Sequence, residues 1–78
     1  MGPLVSIITP TFNAEKFIEA TIASVQAQTY TNWEMILVDD ASTDTTVTII
    51  SSEEKKDSRL KLVQLTNKRH IHSFFRLR

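Results

Sequence analysis

The chain has 78 residues, 41% of them hydrophobic, and its formal charges cancel. A chain of this length buries only about 60–65% of the surface its unfolded form exposes. With no cysteine, neither a disulfide framework nor a thiolate metal site can reinforce it, so self-association is the remaining route to extra stability. No apolar run approaches the ~20 residues needed to cross a bilayer. The opening Met1-Gly2-Pro3-Leu4-Val5 has no basic region before its apolar stretch, unlike a secretory signal. The lack of cysteine fits a reducing compartment, and a cytoplasmic location is expected.

The zero net charge is unevenly distributed. Residues 1–67 carry nine acids against five bases, whereas residues 68–78 carry Lys68, Arg69, Arg76 and Arg78 with no acid. Four bases without a recognition motif do not define a nucleic-acid surface, and no nucleic-acid partner is expected.

Val5-Ser6-Ile7-Ile8 is apolar and β-branched and predicts a strand ending near Thr9-Pro10, because proline cannot donate to a ladder. Residues 14–27 change period. Phe17, Ile18, Thr21, Ile22 and Val25 fall on one helical face. Asn13 suits an N-cap and Glu15 the first turn, and the polar stretch Gln28 to Asn32 ends the helix. Trp33 to Val38 reads as a second strand. Its continuously apolar end, Met35 to Val38, predicts a strand covered on both faces, as in a parallel sheet.

Asp39 to Asp44 is a turn offering several helix caps. The following segment, Thr45 to Lys56, is pulled two ways. Thr46-Val47-Thr48-Ile49-Ile50 favours strand by propensity. Ser42 or Thr43 as N-cap, with Glu and Lys crowding the end, favours helix, and a helix is predicted. Arg59 to Leu65 alternates and forms a third strand. Strand–helix–strand–helix–strand implies an α/β fold, a Rossmann-like parallel three-stranded sheet with flanking helices. In open sheets of this kind ligands sit at the carboxyl ends of the strands.

Two clusters fall there, Pro10-Thr11-Phe12-Asn13 and Asp39-Asp40-Ala41-Ser42. Phe12 offers a flat apolar face, and the Asp40 carboxylate can accept from an N–H. Together they suit a planar base with an imide N–H, such as uracil or thymine. The same residues also fit a purely structural reading, with Phe12 in the core and Asp39 and Asp40 forming a turn. Spacing alone leaves both readings open.

Several stretches together resemble the opening of the inverting glycosyltransferases of family 2. They are Val5-Ser6-Ile7-Ile8-Thr9-Pro10-Thr11-Phe12-Asn13, Ser24-Val25-Gln26-Ala27-Gln28-Thr29-Tyr30, Trp33-Glu34-Met35-Ile36-Leu37-Val38-Asp39-Asp40 and Ser42-Thr43-Asp44. The resemblance is collinear over roughly residues 3–66. It implies a partial GT-A nucleotide-binding fold, transfer of a sugar from a nucleotide-diphosphate donor of uridine or thymidine type, and a divalent cation (Mg or Mn) in the full-length enzyme. Carried over residue by residue, it implies that Pro10, Thr11 and Phe12 line the base, with Phe12 stacking. Asp40 would accept from the base N–H, and Asp39 would lie beside it, towards the base or ribose.

The resemblance also implies a division of the chain. Residues 1–66 correspond to the N-terminal part of the GT-A domain, and residues 67–78 form a basic tail unlike the family. After its third strand the family continues with an Asn and a nearby Gly. Here Asn67 leads into Lys68-Arg69-His70 and no Gly follows. No Asp-x-Asp metal motif is present, and the family's acidic general base would lie further on. The expectation is therefore an N-terminal piece that keeps part of the donor site, with no catalytic or metal-ligating residue, inactive alone. Membrane-peripheral association, if any, would come through regions outside this sequence. The alternative is a non-catalytic nucleotide-binding or self-assembling module. His70 and His72 are read as solvated, since two ligands do not complete a structural metal site. In the family's sheet the first strand is central, with the second and third on one side and later strands on the other. Val5 to Thr9 is therefore expected at an edge here, paired in a homodimer or covered by the alternating tail Ile71 to Leu77.

Overall fold

The computed structural model describes residues 2–65. The tail beyond Leu65, with its two histidines, its predicted added strand and the expected boundary at residue 67, lies outside the described residues. The elements follow the predicted order: β1 Val5–Thr11, α1 Ile18–Gln26, β2 Trp33–Asp40, α2 Thr46–Lys56 and β3 Leu60–Leu65. The strands form one sheet in the order β1-β2-β3, and both pairings are parallel. Consecutive parallel strands need a crossover, which each helix supplies.

The core explains why these segments take these forms. Trp33, Met35 and Leu37 alternate along β2 and meet Ile18 and Ile22 of α1, Ile50 of α2 and Leu60 of β3. Leu37 and Ile50 are fully enclosed. In α2 the buried residues Thr46 and Ile50 are one helical step apart, so tertiary burial overrides the β propensity of this run. Both helices contribute to the same cluster. The expectation that Met35 to Val38 is covered on both faces is corrected to this extent: Ile36, on the other face, is only half-buried, although Val38 is enclosed.

Three local expectations are also corrected. β1 does not stop before Pro10 but continues to Thr11, with Pro10 registered against Val38. A proline is tolerated because β1 is an edge of the described sheet. The first helix begins at Ile18 rather than residue 14, and Asn13 is not its cap. Phe17 precedes the first helical turn and is 68% exposed, so it leaves the apolar face predicted for it.

Trp33 is held at the opposite end of the sheet by charge as well as packing. The Arg59 guanidinium lies 3.9 Å from the Trp33 ring centroid. It also donates to both oxygens of Asp57, from Nε at 3.1 Å and from Nη2 at 3.0 Å. These bonds hold the Asp57 carboxyl at a pKa of about 2.

Candidate functional site

At the carboxyl ends of β1 and β2 the chain enters two loops that are laced together by hydrogen bonds. The lacing begins in the last shared row of the ladder, where Thr11 registers against Asp39. The Thr11 hydroxyl donates to Asp39 Oδ1 at 2.7 Å, and both residues are buried. The Ser42 hydroxyl donates to the same oxygen at 2.6 Å, and the Ser42 N–H donates to Asp39 Oδ2 at 2.9 Å. These donors satisfy a carboxylate that is only 1% exposed.

The Asp39–Ser42 bond closes a ring across Asp40 and Ala41. Ala41 sits at φ 57°, a left-handed conformation that costs a residue with a Cβ about 1–2 kcal/mol. Asn13, at φ 48°, is the matching residue of the other loop, and asparagine tolerates this region better. Its N–H donates to Ser42 Oγ at 2.8 Å, and its Oδ1 accepts from the Thr43 N–H at 2.8 Å. Ser42 Oγ therefore accepts from one loop while donating to Asp39.

Further out, the same exchange starts α2. The Ala14 N–H donates to Thr46 Oγ1 at 2.8 Å and the Glu15 N–H to Asp44 Oδ2 at 3.3 Å. Glu15 Oε1 accepts from the Thr45 N–H at 2.9 Å, and Asp44 Oδ1 accepts from the Thr46 N–H at 2.9 Å. Asp44 and Glu15 thus satisfy donors at a helix start that would otherwise be orphaned. The expected caps Ser42 and Thr43 are replaced in this task, because Ser42 is engaged by Asp39 and Asn13. Hydrogen bonds from the Thr45 hydroxyl and N–H lower the Glu15 pKa. Burial acts to raise that of Asp44, but bonds from the Thr46 hydroxyl and N–H outweigh it and bring it down.

The sequence-predicted site residues thus gather at one strand end but differ in environment. Thr11 and Asp39 face inward. Pro10 is exposed, and Phe12, one residue beyond β1, is 47% exposed. Asp40, the last residue of β2, registers against Leu65, and strand alternation turns it to the face opposite Asp39. Its Oδ1 is buried and has no hydrogen-bond partner among the described residues. Leaving a buried acceptor in that state costs about 1–3 kcal/mol. Asn13, Glu15, Ser42 and Asp44 were not singled out as a joint clasp by the sequence, although each is a residue type that bonds locally to backbone.

Among the described residues no group of three or more His, Cys, Asp or Glu side chains could hold a metal ion. No helix among them is long and apolar enough to cross a membrane. An apolar cleft of about 280 Å³, lined by Val5, Ile7, Gln28, Tyr30 and Trp33, lies at the amino ends of β1 and β2, away from Asp39 and Asp40.

A parallel sheet with polar loops over the carboxyl ends of adjacent strands defines a Rossmann-like α/β protein, a class in which ligands sit at those ends. Residues 6–74 match glycosyl transferase family 2, and the chain belongs to that family. It is 53% identical over 64 residues to the UDP-Glc:alpha-D-GlcNAc-diphosphoundecaprenol beta-1,3-glucosyltransferase WfgD of Escherichia coli, covering 82% of this chain and 24% of that protein. It is 39% identical over 59 residues to the GalNAc(5)-diNAcBac-PP-undecaprenol beta-1,3-glucosyltransferase of Campylobacter jejuni, covering 76% and 19%. It is 35% identical over 68 residues to the glycosyltransferase GlyG of Streptococcus pneumoniae, covering 87% and 23%. The chain spans about a quarter of the length of the curated relatives it matches.

Proposed function

We propose that this chain carries the donor-base part of a nucleotide-sugar glycosyltransferase and recognises a uridine- or thymidine-type base. The observation that carries this reading is the buried Oδ1 of Asp40 at the carboxyl end of β2, which has no partner among the described residues. An imide N–H supplies the donor that this oxygen lacks, and Phe12, next in line after β1, supplies a face for the ring. Pro10 lines the base, while the buried Thr11 and Asp39 contribute from within the sheet. One relative is named for a UDP-glucose donor, which supports a uridine-type ligand. Base recognition requires neither sugar transfer itself nor the divalent cation expected in the full-length family enzyme. A cytoplasmic place for it accords with a chain that carries no cysteine.

Titration with uridine 5′-monophosphate, followed by backbone amide chemical shifts, tests the reading. Shifts centred on Phe12 and Asp40, with affinity around millimolar because a base offers few contacts, are the expected result. Shifts confined to the cleft around Val5 and Trp33 refute it.

Self-association is the second part of the proposal. β1 is unpaired on one side among the described residues, it carries no lysine, and Leu4 and Val5 are 55% and 44% exposed. Apart from Pro10 near its end, such an edge lacks the usual protection against pairing. A second copy of the same strand would satisfy it across a two-fold axis. Sedimentation equilibrium over a concentration series should show a dimer, and a single species at the mass of one chain refutes this part.

A further inference from the structure

We infer that Asp39 is a positioning residue for Asp40: its buried carboxylate, by bridging Thr11 and Ser42, fixes the loop that aims the Asp40 carboxylate at the base. The inference rests on the donor-base reading above and adds to it which residues set the preference for an imide. Asp39 does not meet the ligand in this arrangement. It is 1% exposed, and its oxygens accept from Thr11 Oγ1, Ser42 N and Ser42 Oγ.

What those bonds hold is the backbone on either side of Asp40. Behind it, Thr11 fastens Asp39 to β1. Ahead of it, the bond from the Ser42 N–H closes over Ala41, whose φ of 57° is a conformation alanine rarely keeps unaided. Asp40 is therefore the residue inside a closed ring whose far side is anchored to Asn13 of the other loop through Ser42 Oγ. A carboxylate held this way meets an N–H at a fixed place, and reading a single ring proton requires that fixity. Deleting a bond of the ring leaves Asp40 in the chain but lets its carboxylate move. The base can then still stack, but its N–H is no longer singled out.

The test compares uridine 5′-monophosphate with its N3-methyl analogue, which lacks the imide proton. The wild-type chain should prefer the unmethylated ligand about tenfold or more, the value of a hydrogen bond to a charged acceptor. In Asp39→Asn one oxygen remains for the three donors that the carboxylate accepts from. In Ser42→Ala the hydroxyl that joins Asp39 to Asn13 is gone. Each should reduce the preference towards one while weakening the methylated ligand little. Ser42→Thr keeps a hydroxyl and should keep the preference. Ser42→Ala retains the Ser42 N–H bond, so it provides the measurement if Asp39→Asn does not fold. Variants that fold and lose affinity for both ligands equally, with the preference intact, overturn the positioning role. A wild-type chain without any preference instead refutes the donor-base reading, and this inference with it.

Discussion

The Thr11 hydroxyl reaches across from β1 to the Asp39 carboxylate of β2 at 2.7 Å, inside the protein and in the last row the two strands share. This bond fastens the two loops where they leave the sheet. Thr11→Val keeps the shape and removes the donor, so one buried carboxylate oxygen loses a partner. A loss of about 1–3 kcal/mol is expected, read as a lower urea midpoint with an unchanged slope. Thr11→Ser should recover most of it.

Ala41 and Asn13 occupy left-handed backbone at φ 57° and 48°. Ala41→Gly should raise stability by up to about 1 kcal/mol, because glycine removes the strain at this conformation. Asn13→Gly should be destabilising even though its backbone suits the site, because the acceptor for the Thr43 N–H is lost. Thermal melts of the two variants should therefore move in opposite directions. A shift in the same direction would mean that strain and hydrogen bonding have been apportioned wrongly between the loops.

Ile50 is fully enclosed between α2 and the sheet. Ile50→Ala should cost about 2–5 kcal/mol, whereas Thr48→Ala, at an exposed position of the same helix, should stabilise by a few tenths through helix propensity. A strand at this position would give a loss at both.

Acid should destabilise the chain over a defined range. Asp57 is lowered from 3.8 to about 2, and the Glu15 and Asp44 pKa values are also lowered. A depressed carboxyl stabilises the fold above its unfolded pKa, and that contribution is lost as pH falls through the folded value. The melting temperature should therefore drop as pH falls from about 4 to about 2. Asp57→Asn should lose less across that interval.

Much of this fold was legible in the sequence, and the misses share a cause. The strands and the order of elements follow from local pattern: alternation in β3, and the apolar run of β2. The start of α1 was not legible, because Asn13 and Glu15 look like its cap and first turn but bond instead to residues about thirty positions away, in the loop before α2. Likewise Pro10 reads as a strand end unless its strand is known to be an edge. In the site, Asp39 and Asp40 are indistinguishable as neighbours in sequence. The pleat separates them, giving one a full set of donors and the other an oxygen with none among the described residues.

Replacement of that oxygen's carboxylate tests the account most directly. Asp40→Asn alters a carboxylate whose buried Oδ1 has no partner among the described residues. The chain should stay as stable or become more so, while binding of uridine 5′-monophosphate weakens by about 1–3 kcal/mol. Isothermal titration and thermal melting on the same samples give both values. Weaker binding with unchanged or higher stability is the predicted result. Unchanged affinity in a folded variant contradicts it and removes Asp40 from the site.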